Sequence, residues 1–186
     1  MKRIFGKLLI VFGACIICSV VYLNYSTSKI NKKMVEEYRQ SIKKEKVKND
    51  EYNTGDVIGV LNIPKIKLEV AIKRGIDNEI LKDAVGHFEN TSMPGEYGNF
   101  AVAGHRAYTS NKFFSNLDEL QIGDEINVSS GEKNYKYKVN NIEVVTPDKV
   151  EVINSTDKSK QEITLVTCTP KYIGSHRLIV KGEYVK

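Results

Sequence analysis

The run Thr-Leu-Val-Thr-Cys-Thr-Pro at residues 164–170 carries the one cysteine outside the first eighteen residues. A lone thiol in a folded domain is either a small inert core residue or a reactive group, and its neighbours decide which. A thiolate that attacks a carbonyl needs a base to carry protons and a donor aimed at the oxyanion that forms. Two other segments offer those groups. Ala-Val-Ala-Gly-His-Arg at residues 101–106 closes an apolar run on His105, and Arg177 opens the run Arg-Leu-Ile-Val-Lys-Gly. In a strand, alternation places Cys168 on the same face as Val166 and Thr164.

Each residue alone also has an ordinary reading. Cysteine is often buried for packing, a histidine after a glycine caps a strand, and an arginine at a strand end is a surface charge. Jointly they are the set a thiol nucleophile needs. Free cysteine titrates near 8.5 and free histidine near 6.5, so a thiolate–imidazolium pair is disfavoured by about two pK units, or ~2.7 kcal/mol, unless the site favours it. The other histidines, His87 and His176, are weaker candidates for the base. His176 shares a strand with Arg177 but points to the opposite face. No HxxxH or CxxC spacing supports a metal site, and the Gly-Glu-Tyr-Gly stretch lacks the lysine and helix of a phosphate loop, so neither metal nor cofactor is expected.

The elements that must position these groups come after a different kind of N-terminus. Residues 8–23 contain no charge and follow Lys2, Arg3 and Lys7. That pattern predicts a retained transmembrane signal anchor over residues 1–25, N-terminus cytoplasmic, with Tyr22 and Tyr25 at the far interface. A cleaved signal peptide would need a small-x-small site, which the following residues lack. Cys15 and Cys18 then serve as small apolar residues in the span, leaving Cys168 without a partner outside. Residues 26–53 form a dense charged stretch with Ile30, Met34, Tyr38 and Ile42 at a spacing of four. They read as a charged stalk or linker, helical or solvated, the thin stripe favouring the solvated form.

From residue 54 onward, short β-branched runs alternate with Gly, Asn, Asp and Ser, and Ser-Ser-Gly-Glu-Lys-Asn reads as a hairpin turn. Short helices are expected at residues 78–84 and 113–120. Many short strands with few helices predict an all-β, closed or nearly closed barrel over residues 54–186. A net charge of +5 on 186 residues, much of it near the N-terminus, gives no basic footprint for nucleic acid.

With these three segments together, the sequence resembles the sortases, cysteine transpeptidases of Gram-positive surfaces. The resemblance covers residues 56–185. Gly-Val-Leu-Asn-Ile-Pro-Lys-Ile-Lys-Leu-Glu-Val-Ala-Ile-Lys-Arg-Gly looks like the family's first strands, Ala-Val-Ala-Gly-His-Arg like its histidine motif, Thr-Leu-Val-Thr-Cys like its cysteine signature, and His-Arg-Leu-Ile-Val-Lys-Gly-Glu carries its arginine. The resemblance implies an eight-stranded barrel with two or three short helices. It implies Cys168 as nucleophile, His105 as general acid and base, and Arg177 as orienting and oxyanion group. Ala103, Val150, Val152, Ile153 and Val166 would form the groove for the leucine and proline of a Leu-Pro-x-Thr-Gly-type sorting signal on surface proteins. An amine of a cell-wall precursor, or a pilin lysine, would accept the product. The absence of a C-terminal apolar tail and of a lid insertion is expected to set the chain apart from pilin-polymerising members and nearer to class D, with the housekeeping class second. The loop Val-Ile-Asn-Ser-Thr-Asp-Lys-Ser-Lys-Gln has one aspartate and two lysines, too few oxygen ligands for calcium. Two other readings stay open on the residues alone: a thiol hydrolase using the same pair, and a non-catalytic anchored β-domain with a buried Cys168.

Overall fold

The computed structural model describes residues 2–44, 52–106, 113–155 and 157–185. It opens with one helix, α1, Lys2–Lys43. Eight strands follow: β1 Val57–Ile63, β2 Leu68–Arg74, β3 Val85–His87, β4 Gly98–Ala103, β5 Glu125–Ser130, β6 Lys133–Val145, β7 Gln161–Thr169 and β8 His176–Tyr184. They close into a barrel in the order β1-β2-β3-β4-β7-β8-β6-β5, with β5 returning to β1. Closure gives every strand a neighbour on each side, though β2 meets β3 only at Ile72–Arg74. Most pairs are antiparallel, while β2–β3 and β4–β7 are parallel.

Alternation fills the interior. Phe100 and Val102 of β4, Ile163 and Leu165 of β7, and Leu61 of β1 all join the core cluster, each burial contributing about 1.5–3 kcal/mol. The hairpin turn between β5 and β6 is where its glycine places it: Ser130 pairs with Lys133, and Gly131 has φ +56°. The strand runs legible in the sequence become seven of the strands. The eighth, β3, is three residues, Val-Gly-His, too short to show alternation.

The helix expected at residues 78–84 forms as α2, Asn78–Leu81. The one expected at residues 113–120 does not form. Phe113 has φ +49° and bridges Arg106, and the segment makes only a 3-10 turn at Leu117–Glu119. Phe114, Leu117 and Leu120 are buried in the core, so their helix-like spacing is spent plugging the barrel rather than winding a helix.

Residues 26–43 continue α1, and this half of the helix docks on the barrel instead of remaining solvated. Val35 and Tyr38 bury against Val60 and Ala71, with Met34 and Ile42 alongside. Val60 and Ala71 are cross-strand partners on β1 and β2. This explains why β1 is apolar on both faces, as a strand covered on both sides must be. The Tyr38 hydroxyl donates to the Ile58 carbonyl at 2.9 Å and accepts from the Gly131 amide at 2.9 Å. Asn31 caps the edge of β2, donating to Glu69 O and accepting from Ala71 N. The rest of the expected stalk, residues 45–51, lies outside the described residues. Among the described residues no helix is long and apolar enough to cross a membrane.

Candidate active site

The site is built by three adjacent strands, β4, β7 and β8. Cys168 of β7 and Arg177 of β8 are direct cross-strand partners. On the other side of β7, Ala103 of β4 pairs with Val166, and the Gly104 amide donates to the Val166 carbonyl at 3.0 Å. That bond carries the parallel ladder one residue past the strand end, so His105 leaves the sheet at the level of Cys168. Cys168 and Arg177 are half-buried and His105 is exposed. The thiol is free and not sealed in the core.

Local chemistry explains why β4 turns out here. A Cβ on Gly104 would lie 2.6 Å from Phe114 Cδ2, so only glycine lets that buried ring pass beneath the strand end. Thr167, buried on the interior face, donates to the Gly104 carbonyl at 2.8 Å. The residue before the cysteine thus fixes the residue before the histidine. On β8, Arg177 Nη1 donates to the carbonyls of Gly174 and His176 at 3.1 and 3.0 Å. The guanidinium is held against the β7–β8 turn, and its remaining donors have no partner among the described residues.

One rung further along the same outer face, Ala103, Val166 and Ile179 form an apolar row across β4, β7 and β8. A 3-10 turn at Val150–Ile153 belongs to the β6–β7 connection. Val150 is exposed, while Val152, Ile153 and Val166 are half-buried. The turn is fastened to the floor, since Asn99 of β4 donates to the Ile153 carbonyl at 2.6 Å. Cys168 and Arg177 thus stand at one end of an apolar floor, on the rung where the segment of His105 leaves β4. A thiol so placed can attack a carbonyl held in extended peptide.

The family model named "Sortase domain" matches residues 61–185. The chain belongs to the sortase family. This sortase is 36% identical to "Sortase A" of Bacillus anthracis over 140 residues, covering 75% of this chain and 65% of that protein. It is 32% identical to "Sortase D" of Bacillus subtilis strain 168 over 135 residues, covering 71% of this chain and 66% of that protein. The chain therefore spans just under two thirds of the length of these relatives. Among solved structures it superposes on a Clostridium perfringens Sortase D5 transpeptidase with a TM-score of 0.75 at 36% identity, covering 85% of this chain and 99% of that one. A Group B Streptococcus Pilus Island 1 Sortase C2 superposes with a TM-score of 0.67 at 33% identity, covering 72% and 77%.

The other histidines of this sortase sit apart from that row. His87 is buried in β3, its Nε2 within 3.1 Å of both the Ser92 carbonyl and Thr91 Oγ1 and its ring against Phe100. Burial lowers its pKa below the usual 6.5, outweighing the Ser92 carbonyl that raises it. His176 is exposed beside Ser175, paired with Thr169 one step past Arg177. No cluster among the described residues could hold a metal ion.

Sequence reasoning passed over four residues. Thr167 and Asn99 work through hydrogen bonds to backbone of distant segments, Gly104 and Ile153, which no local pattern reveals. Ile179 is fully buried on the outer face; the continuous apolar run of β8 was its only signal. Arg106 is the fourth, with a side chain only 6% exposed. Its Nη1 donates to Thr169 Oγ1 at 3.0 Å and to the Cys168 carbonyl at 3.4 Å, and its Nη2 pairs with Asp118 at 2.7 Å. Arg106 ties the segment that carries His105 to the strand end that carries Cys168.

Proposed function

We propose that this chain is a membrane-anchored cysteine transpeptidase that cleaves a Leu-Pro-x-Thr-Gly-type sorting signal after the threonine and transfers the protein to an amine. The Cys168 thiolate attacks the threonine carbonyl, and the developing oxyanion takes hydrogen bonds from the Arg177 guanidinium. The His105 imidazolium gives its proton to the departing glycine amine, leaving a thioester on Cys168. An amine of a cell-wall precursor then enters, His105 takes its proton as it attacks, and the thiolate departs. Atoms balance: one amide bond is exchanged for another, with no oxidant and no cofactor.

The observation that carries this reading is the cross-strand pairing of Cys168 with Arg177, with His105 leaving β4 beside them. The leucine and proline of the signal are assigned to Ala103, Val150, Val152, Ile153 and Val166. The anchor reading is supported by residues 8–22, most of whose apolar side chains, Ile10, Phe12 and Ile17 among them, are more than half exposed. Gly6 to Tyr22 rises about 25 Å at ~1.5 Å per residue, and flanking residues complete a bilayer core of ~30 Å. The basic N-terminus then lies in the cytoplasm and the barrel outside the cell, with the anchor at residues 1–25 and the catalytic barrel at 54–186. The relative named "Sortase D" and the Sortase D5 structure support class D.

A fluorogenic Leu-Pro-Ala-Thr-Gly peptide, incubated with and without an amine nucleophile, tests the reaction. Transpeptidation gives an amide product whose yield rises with amine concentration. Release of the free acid alone, whatever the amine, identifies a hydrolase instead.

A further inference from the structure

We infer that α1 holds the barrel against the outer leaflet with its Cys168 end toward the lipid, so that the β7–β8 turn touches the headgroup layer and the site opens to molecules held in the membrane. The inference rests on the anchor reading above.

The ladders fix which end of the barrel bears the site. β4 and β7 run parallel and finish together, β4 at Ala103 and β7 at Thr169. β8 runs against β7, so Arg177 lies near its start at the same end. β3 runs against β4 and parallel to β2. The start of β2 at Leu68 and the end of β1 at Ile63 therefore lie at that end too, joined by the 3-10 turn Pro64–Ile66.

The contacts of α1 fix which way the helix crosses the barrel. Asn31 bonds to Glu69 and Ala71, near the start of β2. Tyr38, further along, bonds to Ile58 at the opposite end of β1 and to Gly131 in the β5–β6 turn. Followed back toward its apolar half, α1 thus leaves the barrel at the end that carries Cys168. Ser28 lines a cleft there with Lys67 and Leu68. Phe113 lines the same cleft and bridges Arg106, the residue after His105.

Length brings that end to the lipid. α1 is one helix from Lys2 to Lys43, with no glycine or proline after Gly13 to bend it. Ser28 follows Tyr25, the interface residue, by about 4.5 Å at ~1.5 Å per residue. A bilayer of ~40–45 Å around a core of ~30 Å leaves about 5–8 Å of headgroups on each side. Ser28 and the barrel end beside it fall within that layer. A helix tilt of about 20° is too small to turn the barrel over.

The side chains at this end suit the interface. Tyr172 and Ile173 of the β7–β8 turn are 69% and 73% exposed. Ile122 is exposed beside Asp124, which pairs with Lys65 of the Pro64–Ile66 turn. Lys32 and Lys67 share the cleft with Glu36 and Glu69, so position and apolar turns, not net charge, make the contact.

The chain has no tryptophan, so a single introduced one reports its own depth. The test places Ile173→Trp, Tyr97→Trp and Phe12→Trp, one at a time, in the full chain in phosphatidylcholine nanodiscs. Tyr97 precedes Gly98, which pairs with Gln161 at the far end of β7. At ~3.3 Å per residue and a strand tilt of ~40°, the length of β7 separates the two barrel ends by about 20 Å. Lipid spin-labelled on the headgroup should quench most of the Ile173→Trp emission and leave Tyr97→Trp unchanged, while lipid brominated mid-chain should quench Phe12→Trp. Ile122→Trp takes the place of Ile173→Trp should that variant not fold. Headgroup quenching of Tyr97→Trp as strong as that of the site-end probe, or an unquenched site-end probe beside a quenched Phe12→Trp, overturns this inference alone. An unquenched Phe12→Trp overturns the anchor reading and this inference with it.

Discussion

Cys168 and Arg177 stand directly opposite each other across the β7–β8 ladder, so no loop motion is needed to bring guanidinium and thiol together. Side chains at such a pair leave the sheet side by side. A lysine keeps the charge but loses the planar fork that can grip an oxyanion while Nη1 holds the turn carbonyls. Arg177→Lys should lower kcat by about 100-fold, the usual cost of one oxyanion donor, with KM little changed. Steady-state kinetics on the sorting peptide check this, and a lysine variant with normal kcat would make Arg177 only a surface charge.

His105, the proposed base, follows a strand end that its neighbours fix. Thr167→Val keeps the shape but removes the bond to the Gly104 carbonyl, leaving a buried acceptor unpaired at a cost of about 1–3 kcal/mol. Urea unfolding should show that loss, and kcat should fall as His105 shifts. Gly104→Ala should be worse on both counts, because the added methyl meets the Phe114 ring at 2.6 Å.

Arg106 holds the backbone of Cys168, the proposed nucleophile, as a positioning residue. Removing it unpins the Cys168 carbonyl and Thr169 and leaves Asp118 alone. Arg106→Ala should destabilise the barrel by about 1–3 kcal/mol, the cost of leaving part-buried polar partners unpaired, since Asp118 itself is half exposed. Arg106→Lys should fold but lose about 10- to 100-fold in kcat, the size of effect that follows a small misplacement at a reacting centre. A lysine variant with wild-type kcat would reduce Arg106 to a purely structural ion pair.

The strands were legible because alternation and turn residues are local signals: the hairpin at Gly131 and the runs of β1, β7 and β8 lie where the pattern puts them. The placing of the segments that carry His105, Cys168 and Arg177 on adjacent strands was readable only through motif order, since nothing local says that β4 and β8 both flank β7. Ties between distant segments were not readable at all. Asn99 to Ile153, Arg106 to Thr169 and Tyr38 to Gly131 each join residues more than fifty positions apart. The failed helix at residues 113–120 has the same origin: its apolar spacing matched a helix, but burial of Phe114 against Gly104 fixed the chain otherwise.

The docked half of α1 makes the helix part of the domain. Tyr38→Phe should cost about 1–2 kcal/mol, because Gly131 N–H loses a buried acceptor, while Ile58 O keeps Ser130 as a donor. Denaturant melts of the full chain measure it. An unchanged midpoint would show that the helix contributes nothing to barrel stability.

His87 gives the fold a pH dependence separate from catalysis. Its folded pKa is depressed, and Nδ1 is buried with no partner among the described residues, so the native state binds fewer protons than the unfolded one. The stability it contributes is full above the ordinary value of 6.5 and is lost as pH falls below it. Melting temperature should drop on acidification from pH 7 to 5, and His87→Gln should flatten that slope. An identical slope in the variant would remove His87 as the cause.

The most direct test of the account is mass spectrometry of the full chain quenched in acid during turnover of a Leu-Pro-Ala-Thr-Gly peptide. The account predicts an added mass equal to the peptide's acyl portion through threonine, on the fragment containing Cys168, and its absence in Cys168→Ala. Peptide cleavage that persists in Cys168→Ala, or an acyl adduct on any other residue, would contradict it.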